Sequence, residues 1–331
     1  MSAPRARAAS PRARARARAA PPSSDTPPHA RVVVLAGGTG GAKLARGMLD
    51  AAAPEEVTVI ANTGDDVEIY GAYVSPDPDL VSFWLADVID ERGWGVRGDT
   101  FNVMEGLREL GVEVWFNLGD RDLAWCMERA RLLAAGHSPT SALARLASAI
   151  GVRARVLPMC DERVRTFIRS GAVWHPFQEF MIRERASAPV DGVELRGVEH
   201  ARPTAEVLAA IESASAIVIG PSNPVISIGP ILAVPGVREA IATARARVVA
   251  VSPIVGGQVL KGPTRAFMEF EGLPSSAAGV AAYYGELLDA MVADEDVETL
   301  PCLRTDTDMR DAPRRAALAR EVLEFAHGLG G

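Results

Sequence analysis

Short runs of β-branched and aliphatic residues recur along the chain, and each ends at a turn rich in glycine, proline or small polar residues. The first run, 32–34, ends in glycines before a helix-favouring stretch, and the second, 57–61, ends at N-T-G-D-D. Further runs at 112–118, 216–220 and 247–252 end at G-D-R-D, P-S-N-P and P-I-V-G-G. Short apolar runs bounded by turn signals and followed by helical patterns are typical of buried parallel strands. The pattern predicts an α/β fold with a Rossmann-like, doubly wound, mainly parallel sheet.

A stretch of a different kind separates the third and fourth of these predicted strands. It contains two amphipathic helical patterns, D-L-A-W-C-M-E-R-A-R-L-L-A-A-G and S-P-T-S-A-L-A-R-L-A-S-A-I-G, and then strands or irregular chain. We interpret residues 121–212 as a helical insertion that flanks the ligand cleft, within a single domain spanning 31–331.

The first thirty residues have a composition unlike the rest of the chain. They are mostly Arg, Ala, Pro and Ser, with no acidic residue before Asp25, so they are expected to be disordered. No apolar core of a secretory signal and no run of about twenty apolar residues is present, which favours a cytoplasmic protein without a membrane span. A basic tail that touches nucleic acid or an acidic partner remains an alternative to an idle extension.

Composition limits the classes of function. The chain has 331 residues, 48% of them hydrophobic, and a net charge of −7, which argues against a general nucleic-acid-binding surface. Its three cysteines show no C-x-x-C spacing, so neither a disulfide framework nor a zinc site is indicated. The five histidines show no metal-ligand spacing, and no G-x-S-x-G motif of a serine hydrolase occurs.

The turn motifs that follow the predicted strands are expected to lie together. In an open parallel sheet, ligands bind outside the carboxyl ends of the strands, where neighbouring loops meet. Five unusual turns on one edge of the sheet therefore predict one site.

Two of these turns have the chemistry of phosphate binding. A glycine run that opens a helix lets backbone amides approach a phosphate, although such glycines can also serve packing alone. The run matches neither a Walker A loop nor G-x-G-x-x-G. P-S-N-P offers hydroxyl and amide groups on a loop stiffened by prolines, although Asn223 can also act only as a cap. The candidate nucleotide-binding residues are Gly37, Gly38, Thr39, Gly40, Gly41, Lys43, Ser222 and Asn223.

The acidic stretch 62–80 repels phosphate unless a cation lies between them. Asp65 and Asp66 at a strand end, with Asp77 and Asp79 further on, have the oxygen ligands of a magnesium site that also uses substrate phosphates. The alternative is a solvated acidic loop. Glycine-rich loops and carboxylates without an obvious general base suit phosphoryl transfer, where catalysis is mostly positioning and charge neutralisation.

G-D-R-D adds further charge beside this stretch. Asp120 and Asp122 are expected to add negative charge around the cation, and Arg121 to meet a phosphate or one of the carboxylates.

Several motifs resemble those of the CofD family, the 2-phospho-L-lactate transferases of coenzyme F420 biosynthesis, and they occur in the same order along the chain as in that family. They are L-A-G-G-T-G-G-A-K-L-A-R-G, N-T-G-D-D, S-P-D-P-D, G-W-G-V-R-G-D-T-F, L-G-D-R-D-L-A, I-G-P-S-N-P-V-I-S-I-G-P and V-A-V-S-P-I-V-G-G-Q-V-L-K-G-P. The resemblance implies a magnesium-dependent phosphotransferase. In it, the terminal hydroxyl of the deazaflavin Fo attacks the phosphate next to the acyl unit of a guanosine diphospho-acyl donor, and GMP is released. A homodimer is the family expectation.

The resemblance also implies roles for individual residues. Asp65 and Asp66 would hold Mg²⁺, Asp65 and Asp79 would be catalytic, and Asp79 and Asn117 would face Fo. The chain departs from the family pattern at Leu80, at Asn117 and at Trp125-Cys126, where the family usually has Thr, a basic or other residue, and Thr-His.

Two other functions compete with this one. The first is a CofD-like regulator of the gluconeogenesis-factor type, which binds a nucleotide sugar without Fo transfer and usually lacks G-D-R-D-L-A. The second is a nucleotide-dependent oxidoreductase, but the chain has the wrong glycine pattern and no acidic residue at ribose-binding spacing. The acyl unit of the donor, derived from phospholactate, phosphoenolpyruvate or phosphoglycerate, stays open at this point.

Overall fold

The computed structural model describes residues 31–259 and 263–329, so the basic segment 1–30 and its expected disorder lie outside the described residues. The strands are β1 (Val32–Ala36), β2 (Val57–Ala61), β3 (Val67–Ile69), β4 (Ala72–Val74), β5 (Arg155–Pro158), β6 (Arg165–Ser170), β7 (Val173–Pro176), β8 (Gly192–Arg196), β9 (Ala216–Ile219), β10 (Arg247–Val251), β11 (Ile254–Val255), β12 (Gln258–Val259), β13 (Ala290–Ala293) and β14 (Cys302–Arg304).

Helices alternate with many of these strands. They are α1 (Gly38–Met48), α2 (Pro76–Leu85), α3 (Asn102–Glu109), α4 (Asp120–Ala134), α5 (Pro139–Ala149), α6 (Phe177–Ile182), α7 (Ala205–Ser213), α8 (Gly229–Ala233), α9 (Val237–Thr243), α10 (Thr264–Phe270), α11 (Ala277–Tyr284) and α12 (Ala312–Gly328).

The central sheet confirms the predicted fold class. Its seven strands lie in the order β14-β13-β10-β9-β1-β2-β5, and every neighbouring pair is parallel. From β1 the chain builds the sheet outward through β2 and β5, and then returns to add β9, β10, β13 and β14 on the other side. The junction between β1 and β9 is therefore the topological switch point of a doubly wound sheet.

Two hydrophobic cores cover the faces of the sheet. Successive side chains of a strand point to opposite faces, so Val33 and Leu35 enter one core, whereas Val32 and Val34 enter the other. Helices α7, α9 and α11 pack on the first face, and α1 and α12 on the second. Burial on both faces is the reason that the strands carry nearly continuous apolar runs.

The predicted strand at 112–118 does not form. Val112 and Glu113 are exposed, and the backbone N–H groups of Trp115 and Phe116 donate to the Tyr70 hydroxyl at 3.0 and 3.1 Å. A side chain thus satisfies backbone donors that a strand would give to its neighbour. The place beside β2 is taken instead by β5.

The range 121–212 combines several kinds of structure. It contributes α4 and α5, then β5 as an edge strand of the central sheet, and then the antiparallel sheet β7-β6-β8. Helices α3, α4 and α5 share a third hydrophobic cluster with α2 and with the hairpin strand β4.

Among residues 31–259 and 263–329, no single helix is both long enough and apolar enough to cross a membrane. The helical segments Pro224–Ala233 and Val237–Thr243 reach that length and composition only together, and the chain bends by 86° between them.

Candidate functional site

A cavity of about 560 Å³ opens at the carboxyl edge of the sheet, over the switch point between β1 and β9. Loops that follow β1, β2, β9 and β10 contribute to its walls, as expected for a ligand site in an open α/β sheet. The predicted residues that line it are Gly37, Gly38, Thr39, Gly40, Lys43, Asp65, Ser222 and Asn223.

The glycine loop and the P-S-N-P loop interlock at the centre of this edge. The Ser222 hydroxyl donates to the Gly37 carbonyl at 2.5 Å and accepts from the Gly37 N–H at 3.3 Å. A Cβ atom on Gly40 would lie 2.0 Å from the Pro221 carbonyl oxygen, so only glycine allows the two loops to approach this closely. Helix α1 begins here, and the partial positive charge of its N-terminus favours an anion; its first turn has no acidic residue of its own, but the Asp77 carboxylate accepts from the Gly38 N–H.

Two polar side chains beside the glycine loop are fixed by contacts of their own. The Asn223 amide oxygen accepts from the N–H groups of Val225 and Ile226 at 2.9 and 3.3 Å. Asn223 thus caps the helical turn after β9 and also lines the cavity. The Lys43 ammonium donates to the Met309 carbonyl at 3.2 Å and places a positive charge at the cavity wall.

Two buried carboxylates, Asp65 after β2 and Asp77 in the first turn of α2, line the acidic side of the cavity. Asp77 accepts from the Gly38 N–H at 2.6 Å and from the Asn62 amide at 3.0 Å. Burial raises the pKa of Asp77 to about 6, although these hydrogen bonds oppose the shift. Burial, and then the charge of Asp77, raise the pKa of Asp65 well above its ordinary value. Asp65 Oδ1 has no hydrogen-bond partner among the described residues.

Asp66, the second predicted metal ligand, does not line the cavity. Its carboxylate accepts from the Ser75 hydroxyl at 2.7 Å and from the Tyr73 hydroxyl at 2.9 Å. Burial raises its pKa to about 7, and the nearby Arg165 opposes the shift. The geometry therefore favours Asp65 and Asp77 as the carboxylates available to a cation, with Asp66 holding the β3–β4 hairpin in place.

Asp79, predicted to be catalytic and to face Fo, does not line the cavity. It lies on the side of α2 that packs against α4, where it forms a buried ion pair. Arg129 of α4 binds both of its oxygens, and the Trp125 indole N–H donates to Oδ1 at 2.7 Å. Asp77, two residues earlier, is the carboxylate that faces the cavity.

The G-D-R-D motif joins two helix N-termini outside the cavity. Asp120 accepts from the backbone N–H groups of Asn102 and Val103 at the start of α3, at 3.2 and 3.0 Å. In return, Asp99 accepts from the N–H groups of Arg121 and Asp122 at the start of α4, at 2.9 and 3.1 Å. These reciprocal caps give the motif a structural explanation.

Asn117 and Arg121 are also exposed and lie outside the cavity lining. Asn117 accepts from Arg108 at 2.9 Å, and the Arg121 guanidinium donates to the Arg97 carbonyl at 3.4 Å. Their predicted contacts with Fo and with phosphate stay predictions.

Sequence reasoning missed the cavity walls on either side of the glycine loop. Thr307 and Asp308, shortly after β14, line the far side, and the Thr307 hydroxyl is buried without a partner among the described residues. Trp94, at the tip of a glycine-rich loop, lines the cavity with 46% of its surface exposed, as do the apolar Phe177 and Met181 of α6. The G-W-G motif was the one available signal, because the other residues follow no recognisable turn chemistry.

A cavity lined by a glycine loop at the start of a helix and by buried carboxylates, at the switch point of a parallel sheet, is typical of α/β proteins with a phosphate-binding site. A family profile described as "2-phospho-L-lactate transferase CofD" matches residues 32–318. The chain therefore belongs to the CofD family of transferases.

Individual relatives agree with this assignment. The chain is 43% identical over 314 residues to a phosphoenolpyruvate transferase of Streptomyces griseus, a match that covers 89% of this chain and 98% of the relative. It is 41% identical over 309 residues to a 2-phospho-L-lactate transferase of Methanosarcina acetivorans, with 90% and 98% covered. A solved UPF0052-family protein of Bacillus halodurans superposes with a TM-score of 0.60 at 17% identity, covers 89% of this chain and 99% of its own, and shows the shared fold.

Proposed function

We propose that the protein transfers a phospho-acyl group, of the 2-phospho-L-lactate type, from a guanosine diphospho-acyl donor to the terminal hydroxyl of the deazaflavin Fo. The transfer would release GMP in coenzyme F420 biosynthesis. The observation that carries the proposal is a single cavity in which residues 37–40 of the glycine loop meet the buried Asp65 and Asp77, while Gly41 packs behind them against Ala36 and Ser222. Membership of the CofD family supports the same reaction class.

The glycine loop is the site we assign to the donor diphosphate. The N-terminus of α1 carries partial positive charge, and Lys43 and the P-S-N-P loop add polar groups on either side. Backbone donors held by interlocked loops stay fixed as negative charge builds up on the transferred phosphoryl group, which is the main requirement of phosphoryl transfer.

The acidic side of the cavity fits Mg²⁺. Asp65 Oδ1 is buried without a hydrogen-bond partner among the described residues, Asp77 lies close enough to raise its pKa, and oxygen ligands are those that Mg²⁺ prefers. We propose that Asp65, with Asp77 beside it, holds the ion. Bound there, Mg²⁺ would neutralise charge on the donor phosphates.

Asp77 is the carboxylate we assign to the Fo hydroxyl. In the proposed step the hydroxyl oxygen forms a bond to the phosphorus next to the acyl unit, the bond from that phosphorus to the oxygen of GMP breaks, and the hydroxyl proton passes to Asp77. Asp77 lines the cavity, whereas Asp79 does not line it and is held in an ion pair with Arg129. Trp94, Phe177 and Met181 supply an apolar wall suited to a flat ring system.

Mass spectrometry of the product tests this function. Purified protein, Mg²⁺ and Fo are incubated in turn with the phospholactate, phosphoenolpyruvate and phosphoglycerate forms of the donor, since relatives with two different names match almost equally. We expect Fo extended by one phospho-acyl unit and an equal amount of GMP. Binding of nucleotide or nucleotide sugar without product would instead favour the regulator.

Asp77→Asn tests the assigned role. It should lower the rate by about 10²-fold, a typical contribution of a general base. Asp296→Asn, which removes a carboxylate paired with Arg304 on an exposed loop, is the matched control and should leave the rate unchanged. Turnover of Asp77→Asn at the wild-type rate would contradict the assignment.

We also propose that the protein acts in the cytoplasm as a homodimer. The proposal rests on the family resemblance, and light scattering of the purified protein tests the dimer.

A further inference from the structure

The first turn of α2 presents two carboxylates in different directions. Asp77 faces the cavity, where the Gly38 N–H donates to it at 2.6 Å, and Asp79 faces α4. Residues two positions apart on a helix are separated by about 200° around its axis, so one turn cannot direct both side chains to the cavity. The contacts made to Asp79 on the opposite side of the turn therefore help to set the direction of Asp77.

Arg129 holds that opposite side with several contacts. Its guanidinium binds both oxygens of Asp79 and also donates to the Tyr73 carbonyl of β4 at 3.1 Å. Both side chains of the pair are about 95% buried, with exposed fractions of 4% for Arg129 and 5% for Asp79. A two-point contact of this kind fixes orientation as well as distance.

Trp125, one turn before Arg129 on the same helix, adds a third donor. Its indole N–H donates to Asp79 Oδ1 at 2.7 Å, and its ring packs against Phe83 of α2 with the ring centroids 5.2 Å apart. Trp125 is also one of the positions at which this chain departs from the family pattern.

Charge explains why Asp79 is held by an arginine. Within the described part of the chain, Asp79, Asp122 and Cys126 form a group of three side chains whose ligand atoms lie within 4.8 Å of one another. The Arg129 guanidinium already supplies the cation to this group. A buried carboxylate needs such a partner, because an unpaired buried charge is strongly destabilising.

We propose that Arg129 and Trp125 are positioning residues, which hold Asp79 from behind α2 and so direct Asp77 at the reacting hydroxyl. This inference rests on the proposed function, since it assigns the support for the carboxylate that meets the acceptor. Neither residue touches the cavity, so neither is expected to bind substrate.

Conservative variants test the inference without removing a buried charge. Trp125→Phe keeps the ring against Phe83 but deletes the N–H donor. Arg129→Lys keeps the charge but cannot bind both oxygens of Asp79 and the Tyr73 carbonyl together. Trp174→Phe is the matched control, because Trp174 lies on β7, away from this network.

Two readouts separate positioning from general stability. We expect kcat to fall about tenfold in Trp125→Phe and about 10²-fold in Arg129→Lys, the scale of a small misplacement of a reacting group. The Kd of GDP measured in EDTA should stay within about twofold, since neither substituted residue lines the cavity. In both variants the amide hydrogen of Gly38, which Asp77 protects, should exchange faster than in the wild type and in Trp174→Phe.

The contrary results are equally specific. Wild-type kcat in both folded variants would overturn the inference, even if their melting temperatures fall, and so would a loss of GDP affinity that parallels the loss of kcat. If the wild-type protein makes no product, the proposed function fails. Exchange of the Gly38 amide then decides alone whether Arg129 and Trp125 position Asp77: faster exchange supports the inference and unchanged exchange overturns it.

Discussion

Gly40→Ala is the most direct test of how the two phosphate-binding loops are built. The added Cβ would lie 2.0 Å from the Pro221 carbonyl oxygen, and real Cβ contacts essentially never fall below 3.0 Å, so the atoms must separate by at least 1 Å. Neither side can yield cheaply, because Gly40 lies in the first turn of α1 and the atom it meets is backbone. The glycine loop and the P-S-N-P loop must therefore move apart.

Two effects of this movement have a predictable size. Overpacking of this kind costs about 1–3 kcal/mol of stability. A shift of about 1 Å in the groups that position a substrate lowers the rate on the order of 10²-fold. We expect Gly40→Ala to fold with a lower melting temperature, to bind GDP more weakly and to lose most of its transfer activity.

Gly71→Ala is the control outside the cavity. Gly71, in the turn between β3 and β4, has φ of +75°, and a Cβ placed there meets nothing within 4 Å. This variant should lose about 1–2 kcal/mol through the left-handed conformation but leave the two phosphate-binding loops unchanged. Calorimetric titration of GDP compares the two variants. The reasoning is refuted if Gly40→Ala binds GDP like the wild type, or if Gly71→Ala loses as much affinity as Gly40→Ala does.

Four further outcomes are expected. Asp65→Asn should abolish the extra thermal stabilisation that Mg²⁺ adds to GDP while leaving the shift in EDTA unchanged, as measured by thermal unfolding. The metal-free protein should lose stability as the pH rises, because burial raises the pKa of Asp77 to about 6 from 3.8. The stability that the protonated Asp77 contributes is complete below about pH 4 and is lost as the pH passes through about 6. The gain in melting temperature from Mg²⁺ should therefore be larger at about pH 8 than at about pH 5. Asp308→Asn should reduce the preference for GDP over ADP in titration calorimetry. A carboxylate on the cavity wall can accept from both the ring N–H and the adjacent amino group of guanine, whereas the corresponding ring nitrogen of adenine carries no hydrogen. A chain that starts at about residue 30 should fold and turn over normally, and a loss of solubility or activity would show that the tail has a role.

Part of the sheet could be predicted from local patterns. Strands β1, β2, β9 and β10 are apolar runs buried on both faces, and each ends at a recognisable turn. Strand β5 begins with an exposed arginine and ends in proline, and β14 has only three residues, so neither carries a periodic signal. The apolar run at 112–118 carried a strand pattern but forms no strand. A backbone N–H of this run donates to the Tyr70 hydroxyl, 45 residues away in the chain, instead of to a neighbouring strand.

The same distinction applies to the site. Glycine and P-S-N-P loops were predictable because their chemistry belongs to the backbone of a few adjacent residues. Which of Asp77 and Asp79 lines the cavity was not predictable, since it depends on the rotation of α2 relative to α4, where Arg129, some fifty residues later, binds Asp79. Thr307 and Asp308 reach the cavity only through the position of β14 at the far edge of the sheet.

The contact between the acidic side and the glycine loop links the two halves of the proposed site. Asp77 already accepts the Gly38 N–H, at the N-terminus of the helix that we assign to the donor diphosphate. A phosphate bound there would add negative charge beside two buried carboxylates whose pKa values are already raised by burial. In a site of low polarity such like charges repel strongly unless a cation or a proton compensates them. Nucleotide and Mg²⁺ should therefore each strengthen the binding of the other, and by linkage the two enhancement factors must be equal.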